Sequence, residues 1–499
     1  MPGLPCPMPS CQRQRTSGLR NLVPVIVLVS MATIGCQRWI DPLPGVRIEP
    51  TRAVRQEGDF GPDSAYQLLV GAGKLPSPDE ATAGWERLLD RFQENPWPAQ
   101  APQAVADRQP WSPADYARIR AILDVAAPNL ALARQAVAAP DPQVPTVTSI
   151  DARIPYVRGA RDVTRLLMAS AYTKEADPAQ VFAELLTCIR FGNILSRGGS
   201  VLNHMIDMRT SGMAVEALWR IPTRTDVPAP VLRRTAQELL RIADGVEPYV
   251  EAMRGEAHTM LAAFSKAQWP KTRATMGGRL RQQNYGAWLA LNCFSFLTGS
   301  TRAGMGRDFT HFYQHLVDLA AKPYHEDVAC QARNLVGSAS SHERGKGLWS
   351  KRNPEGLLLA RQLTPIHSRY FVMAAERDAM LRGTALYLAI LAYEKDTGAP
   401  PKALADLVPK YLPRVPLDPF DGKPFRYGVG ENAPYASYLW GDVAWGIYSI
   451  GSDFSDSGGQ ASRAASVSTG RNQDIVWIPK PFPKVPPPMP EGGLLGGGL

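Results

Sequence analysis

Apolar residues recur at three- and four-residue steps along most of residues 62–365, which is the spacing of one face of an α-helix. The clearest helix start is Asp177, a good N-cap residue, with Pro178 in the first turn. That helix should end at Gly198 and Gly199, where a second apolar run begins at once. Two such runs joined by a glycine turn predict an antiparallel helical hairpin. No repeat recurs at a fixed period, so we expect an irregular multi-helical domain rather than a solenoid.

Three other segments of this region give specific expectations. Residues 112–137 form one helical pattern, with Ser112 as N-cap and Pro113 in the first turn. Residues 337–356 are polar and contain glycine, which is typical of a loop. The second helix of the hairpin should bury an apolar face. That face is formed by Leu202, Met205, Met208, Val215 and Trp219.

The strongest helical pattern in the chain runs from His367 to the helix-ending Gly398. Its charged groups, in "ERDAML" and "YEKD", are expected on an exposed polar face. Its apolar stripe consists of Phe371, Ala374, Leu381, Ala385, Leu388 and Ala392. Beyond this helix, the aromatic and β-branched runs at 425–429 and 445–450 predict short strands. The expected fold is mainly α, with an irregular multi-helical domain followed by a small α+β module at the C-terminal end.

The first 36 residues resemble an export signal. A basic stretch, "RQRTSGLR", precedes an apolar run, "LVPVIVLVSMATI", and the small Gly35 is followed by Cys36. "TIGC" is close to a bacterial lipobox, in which the cysteine is acylated, although Thr33 stands where that pattern prefers leucine. Three outcomes stay open: lipidation of Cys36, a cleaved soluble form, and an uncleaved membrane anchor.

These patterns divide the chain into five parts. The signal or anchor covers residues 1–36, and a Pro-containing, charged tether covers 37–61. The helical domain is placed at 62–365 and the C-terminal module at 366–478. The last part, 479–499, is rich in proline and glycine and is expected to be extended or disordered.

The composition and the distribution of charge limit the classes of partner that this chain is expected to bind. The formal net charge is +9, but lysine and arginine are spread along the chain and interleaved with acidic residues, which argues against nucleic-acid binding. Attraction to anionic lipid headgroups accounts for the same excess. Outside the signal region, Cys188, Cys293 and Cys330 are odd in number and form no CxxC pair. Neither a disulfide framework nor a zinc ribbon is implied.

The loop "YSIGSDFSDSGG" at residues 448–459 is rich in glycine, serine and aspartate. Calcium prefers six to eight oxygen ligands, and Asp453 and Asp474 can supply carboxylates while glycines let main-chain carbonyls turn inward. Asp456 is a candidate third carboxylate. The alternative is a solvated turn that binds no ion.

Residues 370–477 resemble the soluble part of the major pseudopilin of type II secretion systems. The residues that match its turn are Asp418, Pro419, Gly422, Pro424 and Tyr427. Those that match its calcium loop and closing strand are Ser449, Gly451, Asp453, Gly458, Gly459, Asp474 and Trp477. The resemblance implies a small antiparallel sheet whose last loop holds calcium, with Ser449 among its ligands. The pseudopilin processing motif does not occur in this sequence, so assembly into a pseudopilus is not implied.

Catalytic signals are incomplete. His311 and His315 lie four residues apart, a spacing that can bind zinc with His325 or Glu326 as a third ligand. The general base of a helix-type zinc hydrolase is missing, because Phe312 follows His311. The sequence favours an exported, membrane-tethered envelope protein of binding or scaffold type, with a protein partner in the envelope. The alternative is a hydrolase of envelope polymers with its active site in the helical domain.

Overall fold

The computed structural model describes residues 47–76, 113–147, 154, 156–174, 177–223, 225–272, 274, 302–340, 365–430, 443–459 and 474–479. The predicted signal with Cys36 and the C-terminal tail from residue 480 lie outside this range. The described chain is mainly helical, as expected, with one small sheet. Its helices are α1 (Ala65–Ala72), α2 (Pro113–Val125), α3 (Ala127–Ala138), α4 (Tyr156–Tyr172), α5 (Pro178–Ser196), α6 (Val201–Arg220), α7 (Ala229–Gly245), α8 (Tyr249–Ala262), α9 (Arg302–Ala320), α10 (Glu326–Ser340) and α11 (Pro365–Thr397).

The predicted helical hairpin is α5 and α6, which pack against each other. Asp177 caps α5, and its Oδ1 accepts hydrogen bonds from the amides of Ala179 and Gln180 at 3.0 and 3.2 Å. The turn uses Gly198 at φ 80°, a backbone conformation that glycine adopts without a steric cost. The hairpin prediction is confirmed together with its cap.

Two predicted boundaries were wrong. Residues 112–137 are not one helix, because α2 ends at Val125 and α3 begins at Ala127 with Pro128 in its first turn. Proline lacks an amide hydrogen and its ring clashes with the preceding helical turn, so it starts a new helix here. The predicted loop at 337–356 was wrong for residues 337–340, which are the last turn of α10, and residues 341–356 lie outside the described range.

The long helix α11 is the central element of the fold and packs against α6 and α7. All six apolar residues of its predicted stripe are buried. The expectation that its charged residues are exposed was wrong for Arg377, whose side chain is 7 % exposed and forms an ion pair with Asp207 of α6. A single apolar cluster includes Leu69 of α1, Leu388 of α11 and Trp477 near the C-terminal end. The module therefore packs on the same core as the helices.

Both predicted strands are present. They are β1 (Arg426–Val429) and β2 (Trp445–Ser449), and a third strand, β3 (Ile475–Trp477), completes an antiparallel sheet in the order β1-β2-β3. Ile447 of β2 pairs with Tyr427 of β1 and Trp477 of β3. The Trp477 indole donates to Thr384 of α11 at 3.1 Å. A Cβ added to Gly383 would overlap the Trp477 ring, so the sheet rests directly on the backbone of α11.

The described end of the predicted tether lies against the helical body. The amide of Thr51 donates to Glu251 of α8 at 3.0 Å. The carbonyl of Arg55 accepts from the amide of Thr146 at 2.9 Å. Residues 51–55 are thus held to the helices by specific hydrogen bonds. Across the part of the chain that is described, none of the helices is both long and apolar enough to cross a bilayer.

Candidate functional site

The glycine-rich loop starts where β2 ends, and its aspartate side chains accept hydrogen bonds from amides two residues further along the loop. After Ser449, residues Gly451–Asp453 form a turn of 3-10 helix. Asp453 Oδ1 accepts from the amide of Ser455 at 3.2 Å, and Asp456 Oδ1 accepts from the amide of Gly458 at 3.1 Å. Aspartate favours turns for this reason, because its side chain bonds the backbone two residues on.

Asp474 closes the loop from the other side, immediately before β3. Its side chain is buried, and its Oδ2 accepts from the amide of Gly459 at 2.7 Å. Its Oδ1 is buried without a hydrogen-bond partner among the described residues. Burial raises the pKa of Asp474 to about 6 against the opposing effect of hydrogen bonds from the amides of Gly459 and Ser457, and the charges of Asp456 and Asp453 add to the rise. The sequence placed these three aspartates together, and the structure brings them close enough to repel one another.

Ser449, which the resemblance places among the calcium ligands, is the last residue of β2. Its hydroxyl is buried and donates to Asp418 Oδ1 at 2.9 Å. Asp418 also accepts from the amides of Phe420 and Ile450, both at 3.1 Å. Burial raises the pKa of Asp418, and these hydrogen bonds oppose the shift. Ser449 therefore fastens the loop to the Asp418 turn.

Arg426 of β1 is the main residue of this region that sequence reasoning missed. Its guanidinium donates to Asp421 Oδ2 at 2.6 Å, to Asp456 Oδ2 at 3.2 Å and to Asp418 Oδ2 at 3.4 Å. Partial burial alone would raise the pKa of Asp456. Hydrogen bonds from Gly458, Tyr448 and Arg426 nevertheless hold it below its ordinary value. One feature of the sequence could have indicated this contact: Arg426 lies in a predicted strand that directly follows a turn with two aspartates, Asp418 and Asp421.

The three loop aspartates do not form a three-carboxylate centre. Over the residues described, no three His, Cys, Asp or Glu side chains lie in a group that could hold a metal ion. Asp456 is engaged by Arg426 and by the Tyr448 hydroxyl at 2.9 Å. A calcium ion in this loop would therefore use Asp474 and Asp453, with most of its ligands taken from main-chain and hydroxyl oxygens.

A second polar cluster lies inside the helical body and was also missed. Asp207 of α6 is fully buried, and it accepts from the Ser211 hydroxyl and from Arg377 of α11, both at 2.5 Å. Nearby, the Tyr370 hydroxyl and His204 Nδ1 are 3.2 Å apart. Burial, assisted by the charge of Arg377, lowers the pKa of His204 to about 3.

The predicted apolar face of α6 was wrong in one respect that explains the omission. Leu202 is 48 % exposed, whereas Asn203, His204 and Asp207 are buried. Asn203 stays inside because its amide donates to the Tyr156 hydroxyl of α4 at 2.7 Å. Polar partners on neighbouring helices therefore keep polar residues of α6 buried where apolar spacing alone predicts an exposed face, whereas Met208, Val215 and Trp219 are buried as predicted.

The histidines of the zinc hypothesis do not converge on a metal site. The rings of His311 and His315 are 6.1 Å apart between centroids on α9. His325, just before α10, instead pairs its Nδ1 with the carbonyl of Phe420 at 3.0 Å. It joins the helical body to the turn that contains Asp418.

Comparison with known proteins gives no relative for this chain: no family model matches it, and neither does any curated protein or solved structure.

Proposed function

We propose that this chain is an exported protein of the bacterial envelope, tethered to a membrane by its N-terminal segment, that binds or scaffolds a partner protein. The basic and apolar start of the sequence supports export and tethering. The C-terminal sheet, packed on α11 and closed by a glycine-rich loop, supports a rigid binding module rather than a separate appendage.

In the same proposal, the loop 449–459 takes a calcium ion with Asp474 and Asp453 among its ligands. The observation that carries this step is the buried Asp474 Oδ1, which has no partner within the described residues and lies near two further carboxylates. A buried ionised oxygen without a partner is costly, and calcium would supply the missing positive charge. Main-chain carbonyls and hydroxyl groups of the turn would complete the ligand set.

Calorimetric titration of the full-length protein with CaCl₂ tests the calcium site. We expect saturable heat with CaCl₂ and much weaker heat with MgCl₂, since magnesium requires a tighter octahedral set of ligands. Asp474→Asn should abolish the calcium heat. Asp318→Asn is the matched control, because Asp318 of α9 is a partly exposed carboxylate paired with Lys322. Equal heat in the unaltered and Asp474→Asn proteins would exclude the site.

Tethering is tested separately by metabolic labelling with a fatty acid. We expect the label in the unaltered chain and none in Cys36→Ala, together with a shift of the variant out of the membrane fraction. Membrane retention of an unlabelled Cys36→Ala chain would indicate an uncleaved anchor instead of lipidation. Export itself would be contradicted if the unaltered chain fractionated with cytoplasmic proteins.

A further inference from the structure

Phe454 lies in the glycine-rich loop between Asp453 and Ser455, and its backbone is left-handed, with φ 59° and ψ 18°. Within the described residues it is the single non-glycine residue with a positive φ. A bulky side chain is strained in this conformation, which persists only where surrounding contacts compensate for it. The contacts that hold Phe454 therefore need to be identified.

The Phe454 ring supplies these contacts. Its centroid lies 5.7 Å from that of Tyr324 and 6.0 Å from that of Phe420. Tyr324 is buried in the segment that leads into α10, and its ring lies 6.4 Å from that of Phe371 on α11. Aromatic pairs at such separations add to the stability that burial provides. Through Phe454, the last loop of the module is fastened to the helical body.

One carboxylate of the proposed calcium site, Asp453, lies on the same short loop as this ring, and the other, Asp474, contacts the end of that loop from the residue before β3. Asp453 directly precedes Phe454, and its side chain bonds the amide of Ser455 on the other side of Phe454. Asp474 holds the far end of the loop through the amide of Gly459. A cation bound to Asp453 and Asp474 would thus fix both sides of Phe454, and a docked ring would in turn fix Asp453.

We propose that calcium binding to Asp474 and Asp453 is coupled to docking of the Phe454 ring on Tyr324 and Phe420. The loop then acts as a calcium-dependent latch between the C-terminal module and the helical body. This inference rests on the calcium site proposed above. Coupling between two sites is reciprocal, so removal of the ring contact must weaken calcium binding even where every calcium ligand is kept.

The test uses the full-length protein with two variants that leave the carboxylates intact, Phe454→Gly and Tyr324→Ala. Glycine accepts the left-handed backbone without strain, so Phe454→Gly removes the ring without opposing the loop conformation. Phe309→Ala is the matched control, because Phe309 belongs to the same apolar cluster but its ring packs on Phe264 and Tyr313. Melting temperatures establish that each variant is folded.

The measurements are the Kd for CaCl₂ by calorimetry and hydrogen exchange of two segments, residues 451–459 and 324–329. The latch predicts a Kd at least fivefold higher in Phe454→Gly and in Tyr324→Ala, and an unchanged Kd in Phe309→Ala. It also predicts that CaCl₂ slows exchange in both segments of the unaltered chain, and only in 451–459 of Phe454→Gly.

Each alternative outcome is distinct. Calcium binding with unchanged Kd in all variants, or protection confined to residues 451–459 in the unaltered chain, would overturn the latch and leave the calcium site standing. No calcium heat in the unaltered chain would overturn the calcium site, and the latch with it.

Discussion

Two clusters of charge in this molecule are neutralised in different ways. In the helical body, one buried carboxylate, Asp207, meets one buried guanidinium, Arg377. In the C-terminal module, one guanidinium, Arg426, is shared by Asp418, Asp421 and Asp456. Asp474 lies close to this group but receives no cation from the protein within the described residues.

The difference separates an internal structural contact from a site that an external cation can complete. An ion pair enclosed on all sides has its charge balanced by the chain itself, and such a pair stabilises a fold only while both partners are present. A partly exposed group with more carboxylates than cations is electrostatically incomplete. The first cluster therefore explains how α6 and α11 stay together, and the second is the better place to look for function.

The largest effect that distinguishes the two clusters is expected for Asp207→Ala. It leaves Arg377 charged and buried without its partner, so we expect a loss of about 3–5 kcal/mol in the free energy of unfolding. Asp421→Ala is the corresponding change in the module, where Arg426 keeps Asp418 and Asp456. There we expect a loss of about 1 kcal/mol. Urea unfolding followed by circular dichroism measures both, and equal losses would show that the clusters do not differ as described.

The contact between the module and α11 can be weakened by one methyl group. Gly383→Ala places a Cβ into the Trp477 ring and would displace the sheet. We expect the free energy of unfolding to fall by about 2–3 kcal/mol. Gly212→Ala is the matched control, because a Cβ there meets nothing within 4 Å in the middle of α6. Gly212→Ala should raise the free energy of unfolding by about 0.5–1 kcal/mol, because alanine has a higher helix propensity than glycine. A similar response of the two variants in thermal melting would contradict the close approach of Trp477 to α11.

Much of the fold could be predicted from local pattern and local chemistry. Asp177 as a cap, the stripe of α11 and the two strands all follow from rules that act over a few residues. The break at Pro128 follows from a local rule too, and it was overlooked because the apolar spacing continues across it.

The charged clusters could not be predicted in this way, because their partners are far apart in the sequence. Asp207 and Arg377 are 170 residues apart, and Arg426 and Asp456 are 30 residues apart. On a helical pattern, Arg377 looks like any exposed charge until the element that covers it is known. Asp453 and Asp456 were found because they are neighbours in sequence, whereas Arg426, which binds Asp456, gave no periodic signal.

The pH dependence of stability should also separate the clusters. The folded-state pKa of His204, about 3, is below its ordinary value of 6.5, so the unfolded chain takes up this proton first as the pH falls. The stability that neutral His204 contributes is present above pH 6.5 and is lost towards pH 3. Between pH 6.5 and 5 we expect the free energy of unfolding to fall by about 2 kcal/mol. Asp207, whose pKa is raised by burial, acts in the opposite sense.

Thermal melting at pH 7, 6 and 5 measures this effect. His204→Gln should remove most of the fall in melting temperature below pH 6.5, because glutamine does not take up a proton in this range. His315→Gln, at an exposed position of α9, is the control and should leave the profile unchanged. The same slope in all three proteins would show that buried His204 does not control the acid response.

The smallest effect concerns Asp474 in the absence of calcium. Its folded-state pKa, about 6, is above its ordinary value of 3.8, so the folded state binds this proton more tightly. The cost of ionising Asp474 is absent below pH 3.8, grows as the pH rises to about 6 and is complete at pH 7. Asp474→Asn removes that cost and keeps an oxygen that can accept the hydrogen bond from the Gly459 amide. At pH 7 with a chelator, we therefore expect the free energy of unfolding to rise by about 1 kcal/mol. Saturating CaCl₂ should reverse the order, because only the unaltered chain is stabilised by the ion. A destabilised Asp474→Asn protein in the chelator would mean that the Asp474 carboxylate is already compensated inside the fold, and the contrast between the two clusters would then not hold.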